Sequence, residues 1–281
     1  MKDILLVKKA ITHSGKFHTD DVLSTVLIKE LNPNIVIERV DQYEADDSIE
    51  DILAYDIGLG EFDHHDECRE LDDYGVPYSA FGKLWREFGM LYLEQYGFKN
   101  VELAYIKFNK QYVSRINQGD NEGYKNVESR LYENDMIVKF NPSWYECKND
   151  LEISDKQFMK AVEFAKLIFS NWIREIYEEV ELDQVEKNIW ENALKNGENG
   201  IIVLEERIPW RNFLKKDRRV NVKLVITKDY RGGYSITSKD SKKIQVQDSE
   251  YLTFLHPSGF MGVASTLDNA LKAAKFSLCS A

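Results

Sequence analysis

Two short stretches of this 281-residue chain concentrate the residue types that do chemistry. His13, His18, Asp20 and Asp21 fall within residues 11–21, and Asp56 and Asp63-His64-His65 follow. Of the five histidines, four form two pairs between positions 13 and 65, and the fifth is His256. Side chains scattered for solubility would not segregate in this way. Imidazole and carboxylate together are divalent-cation ligands that suit manganese, iron(II) or zinc, and magnesium less well. His13, His18, Asp20, Asp56 and His64 are too many donors for one catalytic zinc with three protein ligands. They suit a two-metal site with Asp56 bridging, the arrangement that clamps attacking and leaving oxygens in phosphoryl transfer. In Asp63-His64-His65, one imidazole can bind metal, the other can face substrate, and the aspartate can hold a ring in the right tautomer.

The elements around these residues must bring them together. An apolar run at Ile4–Val7, extended towards Ile11, predicts a buried strand. A helix follows over 20–31, stopped by Asn32-Pro33-Asn34. The β-branched run 35–40 and residues 52–57 predict further strands. This β-α-β-β order points to a doubly wound, mostly parallel sheet, in which strand-to-helix junctions at the carboxyl edge bind ligands. Helices are expected from Ser79 to a stop at Gly97, over about 101–118 before Gly119-Asp120-Asn121, and from Ser154, with Gln157 completing a capping box. After the break at 196–200 the period changes to strands at 201–204, 220–227, 234–237 and 244–246, with a closing helix at 266–277. The expected organisation is a metal-bearing lobe over 1–150, a helical connector over 151–199, and a smaller α/β substrate-binding lobe over 200–281. Phe169, Trp172 and Trp190 are expected in the core.

Composition narrows the function. A net charge of −11 argues against broad binding to duplex nucleic acid. No apolar run is long enough for a membrane span. The start lacks a signal-peptide pattern, and Cys68, Cys147 and Cys279 read as free thiols, so a cytoplasmic location is expected. A basic segment, Arg207, Arg211, Lys215, Lys216, Arg218, Arg219 and Lys223, reads either as a solvated face or as a funnel for a single-stranded backbone. In the second case Trp210, Phe213 or Tyr230 would stack bases. His256, beside Gly259 and Gly262, could help hold a phosphate in a glycine-rich turn.

Residues 12–21, Asp56-Ile57-Gly58, Phe62-Asp63-His64-His65, residues 78–82, Gly119-Asp120-Asn121, Ile208-Pro209-Trp210 and residues 256–262 together resemble the DHH phosphoesterase superfamily, and most closely its melanocyte-proliferating-gene (Myg) exonuclease branch. The chain departs from the branch at Gly262-Val263, where two glycines are common, and lacks an acid often found just upstream of Asp120. The resemblance implies a two-lobed, metal-dependent phosphodiester hydrolase with 3′-to-5′ RNA exonuclease activity. It implies His13, His18, Asp20, Asp56, His64 and Asp120 as ligands of two divalent metals, with manganese the first choice and magnesium or zinc as alternatives. His18 stands where many superfamily members have aspartate, as is usual in this branch. His65 would contact the scissile phosphate, supported by Asp63, and Arg211, His256, Gly259 and Gly262 would bind substrate. RNA or a short oligonucleotide is the expected partner, and a homo-oligomer is left open. The alternatives are a small phosphorylated substrate, such as a cyclic dinucleotide or pyrophosphate, and a metal-stabilised protein that turns nothing over.

Overall fold

The structure is a computed structural model that describes residues 3–46, 48–65, 69–123, 132–147, 150–216 and 221–279. The chain divides into two compact units, Met1–Glu181 and Leu182–Ala281.

In the first unit, β1 (Lys9–His13) is the centre of a three-stranded parallel sheet of order β2-β1-β3, with β2 at Val36–Val40 and β3 at Ile52–Ala54. Lys9 pairs with Val36 on one side and Ile52 on the other, so all three strands end at the same edge. The chain leaves β1, forms β2 on one flank and returns to form β3 on the other. That reversal makes the ends of β1 and β3 a topological switch point, where the loops diverge and leave a crevice. α1 (Thr19–Leu31) lies between β1 and β2 and packs against α2 (Ala80–Tyr96) and α7 (Leu151–Tyr177). It is buried on nearly every side up to Ile28, which fits the apolar Val22, Leu23, Val26, Leu27 and Ile28 and the small Ser24 and Thr25 between them.

The expected helix over 101–118 is α3 (Val101–Phe108), a π-helical turn at Asn109–Val113 and α4 (Ser114–Glu122). Asp120 therefore sits inside a helix rather than in a turn after one. Short helices α5 (Tyr132–Val138) and α6 (Trp144–Cys147) precede α7. Trp85 of α2 stacks on Phe108 at 4.2 Å between ring centroids, and meets the edge of Phe169 of α7. Burial of these rings, which carry 150–250 Å² each, ties the helices into one core.

The stretch Ile4–Val7 is not a strand. The Asp3 carboxylate accepts a hydrogen bond from Leu5 N and its carbonyl one from Leu6 N, closing a turn that exposes Leu5 and Leu6 while burying Ile4 and Val7. Ser154 does not cap α7 either. Asp150 does, accepting from Glu152 N at 3.0 Å, and Ser154 is buried one turn further on. α7 also lies within the first unit, whose core holds Phe158, Phe169 and Trp172, so the unit boundary falls inside the stretch expected as a connector.

The second unit carries α8 (Asp183–Lys195), β4 (Ile201–Leu204), α9 (Trp210–Lys216), β5 (Leu224–Lys228), β6 (Tyr234–Ser238), β7 (Phe254–Leu255), β8 (Met261–Ala264) and α10 (Leu267–Cys279). Its five-stranded sheet runs β4-β5-β6-β8-β7, parallel only between β4 and β5. Side chains alternate between faces along each strand. Ile202, Leu204 and Val225 join Trp190 of α8 and Trp210 and Phe213 of α9, while Ile201, Leu224 and Ile226 join Ala270, Ala273 and Ala274 of α10. Residues 244–246, expected as a strand, are irregular, and the glycine-rich stretch instead supplies β8. Among the described residues, no helix is long and apolar enough to cross a membrane. Cys147 and Cys279 are free thiols, and Cys68 lies outside the described residues.

Candidate metal centre

The shared edge of the parallel sheet places His13, the last residue of β1, beside Asp56, two residues past β3. Asp56 adopts a left-handed backbone, φ 54°, a conformation that is uncommon outside glycine and better tolerated by Asp and Asn than by bulkier residues. Its N–H donates to the carbonyl of Phe62 at 3.1 Å, and Tyr55 forms an isolated bridge with Phe62. The chain is thereby folded back, delivering Asp63, His64 and His65 to the same spot.

Asp56 lies between two imidazoles with one oxygen towards each. Oδ2 is 3.2 Å from His13 Nε2, and Oδ1 is 3.2 Å from His64 Nε2. His13 Nδ1 is 3.0 Å from the carbonyl of Ser14, an acceptor only, so Nδ1 carries a hydrogen and Nε2 faces inward, towards the carboxylates. His13 Nε2 is also 3.0 Å from Asp21 Oδ2, and His64 Nε2 is 3.2 Å from Asp120 Oδ2 and 3.7 Å from Asp20 Oδ2. Three groups offer donor atoms within 4.8 Å of one another: His13, Asp21 and Asp56; Asp56, His64 and His65; His18, Asp20 and Asp120. The structure thus brings together His13, His18, Asp20, Asp56, His64 and Asp120, and adds Asp21. Asp21 follows from the capping of α1. Its Oδ1 accepts from His18 N at 3.0 Å in a capping box, which leaves Oδ2 facing His13. The signal in the sequence was the adjacent pair of acids in the first turn.

These carboxylates are costly to bury without a cation. Asp20, Asp21, Asp56 and Asp63 are all buried. Burial, reinforced by the charge of Asp56, pushes Asp20 up. Burial lifts Asp21 to about 7, and burial with the neighbouring Asp20 lifts Asp120 to about 10. Burial opposes a charge on His13, but Asp21 and Asp56 outweigh it and raise the imidazole to about 11. Burial also opposes ionisation of Asp56, but His13 and His64 hold it below the usual range. Asp20 Oδ1, Asp21 Oδ2 and Asp56 Oδ1 are buried without a hydrogen bond, and the latter two lie only at ion-pair distance from His13 and His64, 3.0 and 3.2 Å. A buried polar atom left unsatisfied costs about 1–3 kcal/mol. Convergent, orphaned oxygens beside inward-facing imidazole nitrogens, whose protons a divalent cation would replace, fit such cations.

Asp63 is in none of these three donor groups. Its Oδ2 accepts from Leu59 N at 2.8 Å, and its Oδ1 lies 2.7 Å from His65 Nδ1. Burial opposes its ionisation, but these contacts hold it well below the usual carboxylate range, and it in turn raises His65. With Nδ1–H held by Asp63, the His65 ring presents Nε2 outward. The side chain is 59% exposed and its ring lies 4.3 Å from that of His64. Lys83, buried in the first turn of α2, donates to the carbonyl of Asp63.

Supports that sequence reading missed hold the loops in place. Arg39 of β2 donates to the carbonyls of His13 at 3.1 Å and Gly15 at 2.9 Å, and its guanidinium lies 4.3 Å from the Phe158 ring. Ser154 Oγ donates to the Gly15 carbonyl at 2.6 Å. Asn141 pairs with both backbone groups of Phe17. On the far side, Asn117 of α4 accepts from Ser79 N and Oγ, the cap of α2, and Ala80 N donates to Asp20 Oδ2 at 3.3 Å. Gly82 permits this approach, since a Cβ there would lie 2.2 Å from Asn117 Oδ1.

The remaining expected substrate residues belong to the second unit. Arg211 lines a pocket beside Trp210. His256, Gly259 and Gly262 do not line it. His256 Nδ1 accepts from Ser258 N at 3.2 Å, and its ring lies 4.4 Å from that of Phe260. Gly262 is tightly covered by Val246 and Leu252, so its small size serves packing within the unit. Phe213, offered as a base-stacking surface, is buried and stacked on Trp190. Arg218 and Arg219 lie outside the described residues.

The fold and this cluster define an α/β protein with a His/Asp site suited to divalent cations. The family model MYG1_exonuc, described as "Uncharacterised protein family (UPF0160)", matches residues 9–248. The chain belongs to that family. It is 26% identical to the MYG1 protein of Dictyostelium discoideum over 311 aligned positions, covering 92% of this chain and 93% of that one. It is 25% identical to a MYG1 protein of Saccharomyces cerevisiae, covering 96% of both, and 23% identical to one of Schizosaccharomyces pombe. No solved structure gives a significant match.

Proposed function

We propose that this protein hydrolyses phosphodiester bonds with two divalent cations, manganese first among them, and that it shortens RNA or short oligonucleotides from the 3′ end. The observation that carries the two-cation reading is the position of Asp56, with one oxygen towards His13 and the other towards His64. His13 and Asp21 would hold one cation and His64, Asp20, Asp120 and His18 the other, with Asp56 shared. Such cations neutralise phosphoryl oxygens and activate water. The name of the matching family model supports a nuclease-type hydrolase.

The protein's own residues supply the rest. His65, oriented by Asp63, offers an Nε2–H to a non-bridging phosphoryl oxygen. The raised pKa keeps that proton in place to higher pH than for a free histidine. The clamp of Arg39, Ser154 and Asn141 keeps the His13–His18 loop in its ligating geometry before any cation arrives.

The test joins metal analysis to a hydrolysis screen of 5′-labelled RNA, single-stranded DNA, cyclic dinucleotides and pyrophosphate. The expected result is two equivalents of cation per chain and a ladder shortening RNA from its 3′ end. Cleavage of pyrophosphate or cyclic dinucleotides alone would replace the substrate. Full cation loading with no turnover on any substrate would refute the enzyme reading.

A further inference from the structure

The second unit contains a pocket of about 520 Å³, a volume in the range that takes a drug-sized ligand. Three guanidinium groups, of Arg207, Arg211 and Arg231, stand around it. Among the described residues the single acid in its lining, Asp229, is engaged locally: its Oδ1 accepts from Arg231 N at 2.9 Å and lies 3.7 Å from Arg231 Nε. Among the described residues, neither Arg207 nor Arg211 is ion-paired with a carboxylate. Both instead lie over aromatic rings, Arg207 4.1 Å from the centroid of Tyr230 and Arg211 4.3 Å from that of Trp210. On a chain of net charge −11, unpaired arginines gathered at a concavity are a local reversal of sign.

Tyr230 gives the pocket its second character. It is 86% exposed although it is large and partly apolar, and the cation on one of its faces leaves the other open. Hydroxyls at the floor, Thr227 and Ser235, are 2.8 Å apart and buried, while Ile208 and Met261 add apolar wall. Guanidinium forks suit phosphate oxygens, and an open aromatic face with a cation behind it suits a nucleobase.

We propose that this pocket binds a nucleoside monophosphate unit, with its base on Tyr230 and its phosphate on Arg207, Arg211 and Arg231. The unit is either a free mononucleotide or the end of a single strand; the second assignment rests on the substrate class proposed above. A concavity of this size admits one nucleotide and excludes a duplex, in keeping with the acidic balance of the chain.

Calorimetry on the full chain tests this with 5′-AMP, adenosine, inorganic phosphate and a 5′-phosphorylated trinucleotide. Arg207→Gln with Arg211→Gln should weaken AMP at least about tenfold, since hydrogen bonds to charged groups each contribute on that scale. Adenosine should be little changed by the same pair. Tyr230→Ala should weaken adenosine and AMP about tenfold, and Tyr230→Phe should restore both. Circular dichroism checks that these exposed substitutions leave the fold intact. Tighter binding of the trinucleotide than of AMP assigns the pocket to strand ends, and the reverse assigns it to released product. AMP affinity indifferent to the arginine and tyrosine substitutions overturns the proposal. The Asp56→Asn chain should bind AMP as the wild type does. If that variant still hydrolyses RNA, the metal reading fails and the pocket stands; if only the arginine result fails, the pocket falls and the metal reading stands.

Discussion

Replacing Asp56 by Asn is the sharpest test of the centre, because it changes charge and little else. Asparagine has the same size and also tolerates the left-handed backbone at φ 54°. In the metal-free protein the charge on Asp56 is net favourable, since His13 and His64 hold it below the usual range against burial. Neutralising it should therefore cost the metal-free fold roughly 1–2 kcal/mol, a salt-bridge-sized effect with repulsion from Asp20 and Asp21 relieved at the same time. The decisive quantity is the gain on adding cation. Ligand at 100 times its dissociation constant stabilises by about 2.7 kcal/mol. In a unit of this size each kcal/mol moves Tm by about 2–4 °C. For two cations the gain is about 5 kcal/mol, so wild type should gain about 10–20 °C in millimolar manganese, and Asp56→Asn should gain almost nothing, because both cations lose the carboxylate they share. Differential scanning fluorimetry with and without chelator reads this directly, with metal content measured on the same samples. A variant that gains as much as wild type would show that Asp56 does not touch the cations, and the shared-carboxylate argument would be refuted.

His64→Ala should lose the manganese-dependent Tm gain, whereas His65→Ala should keep it while turnover falls about 10²–10³-fold; equal metal loss in both would refute the division of roles. In chelator, Asp20, Asp21 and Asp120 have raised pKa values and so bind more protons folded than unfolded above about pH 4, and His13 does so above its ordinary range. Stability of the metal-free protein should thus fall from pH 5 to pH 8, and urea midpoints that rise over that interval would contradict the electrostatics. Gly82→Ala should push Asn117 off the cap of α2 and destabilise the fold by about 1–3 kcal/mol, the cost of leaving Asn117 Oδ1 or its donors unpaired. Chemical denaturation checks this, and an unchanged midpoint would show that α4 does not depend on that contact.

Much of this site was legible in the chain. Ligand residue types are rare enough that two His pairs and their acids stand out, and strand, helix and turn signals act over a few residues. The limits of α1, the cap at Ser79 and the stop at Gly97 follow from such local rules. Local pattern also misled. Ile4–Val7 reads as a strand because apolar content does not register that Asp3 closes a turn on Leu5 and Leu6. Residues 119–121 read as a break because glycine is a poor helix former, yet α4 continues through them, with Asn117 and Asn121 bonding across to residues 77–79.

What only tertiary structure decided is which atoms face one another. Parallel pairing on both sides of β1 brings residues 13 and 56 together, and the α1 cap turns one oxygen of Asp21 towards His13. Arg39, Ser154 and Asn141 reach the Gly15–Phe17 loop from positions 24 to 139 residues away, with side chains that look ordinary in isolation. The same holds for the pocket in the second unit. Arg207 and Arg211 were visible in a basic run, but only folding adds Arg231, stands Arg207 over Tyr230 and buries Phe213. Residue type and short-range spacing are properties of the chain itself, whereas direction and distance between remote side chains arise when the strands pair and the helices close on them.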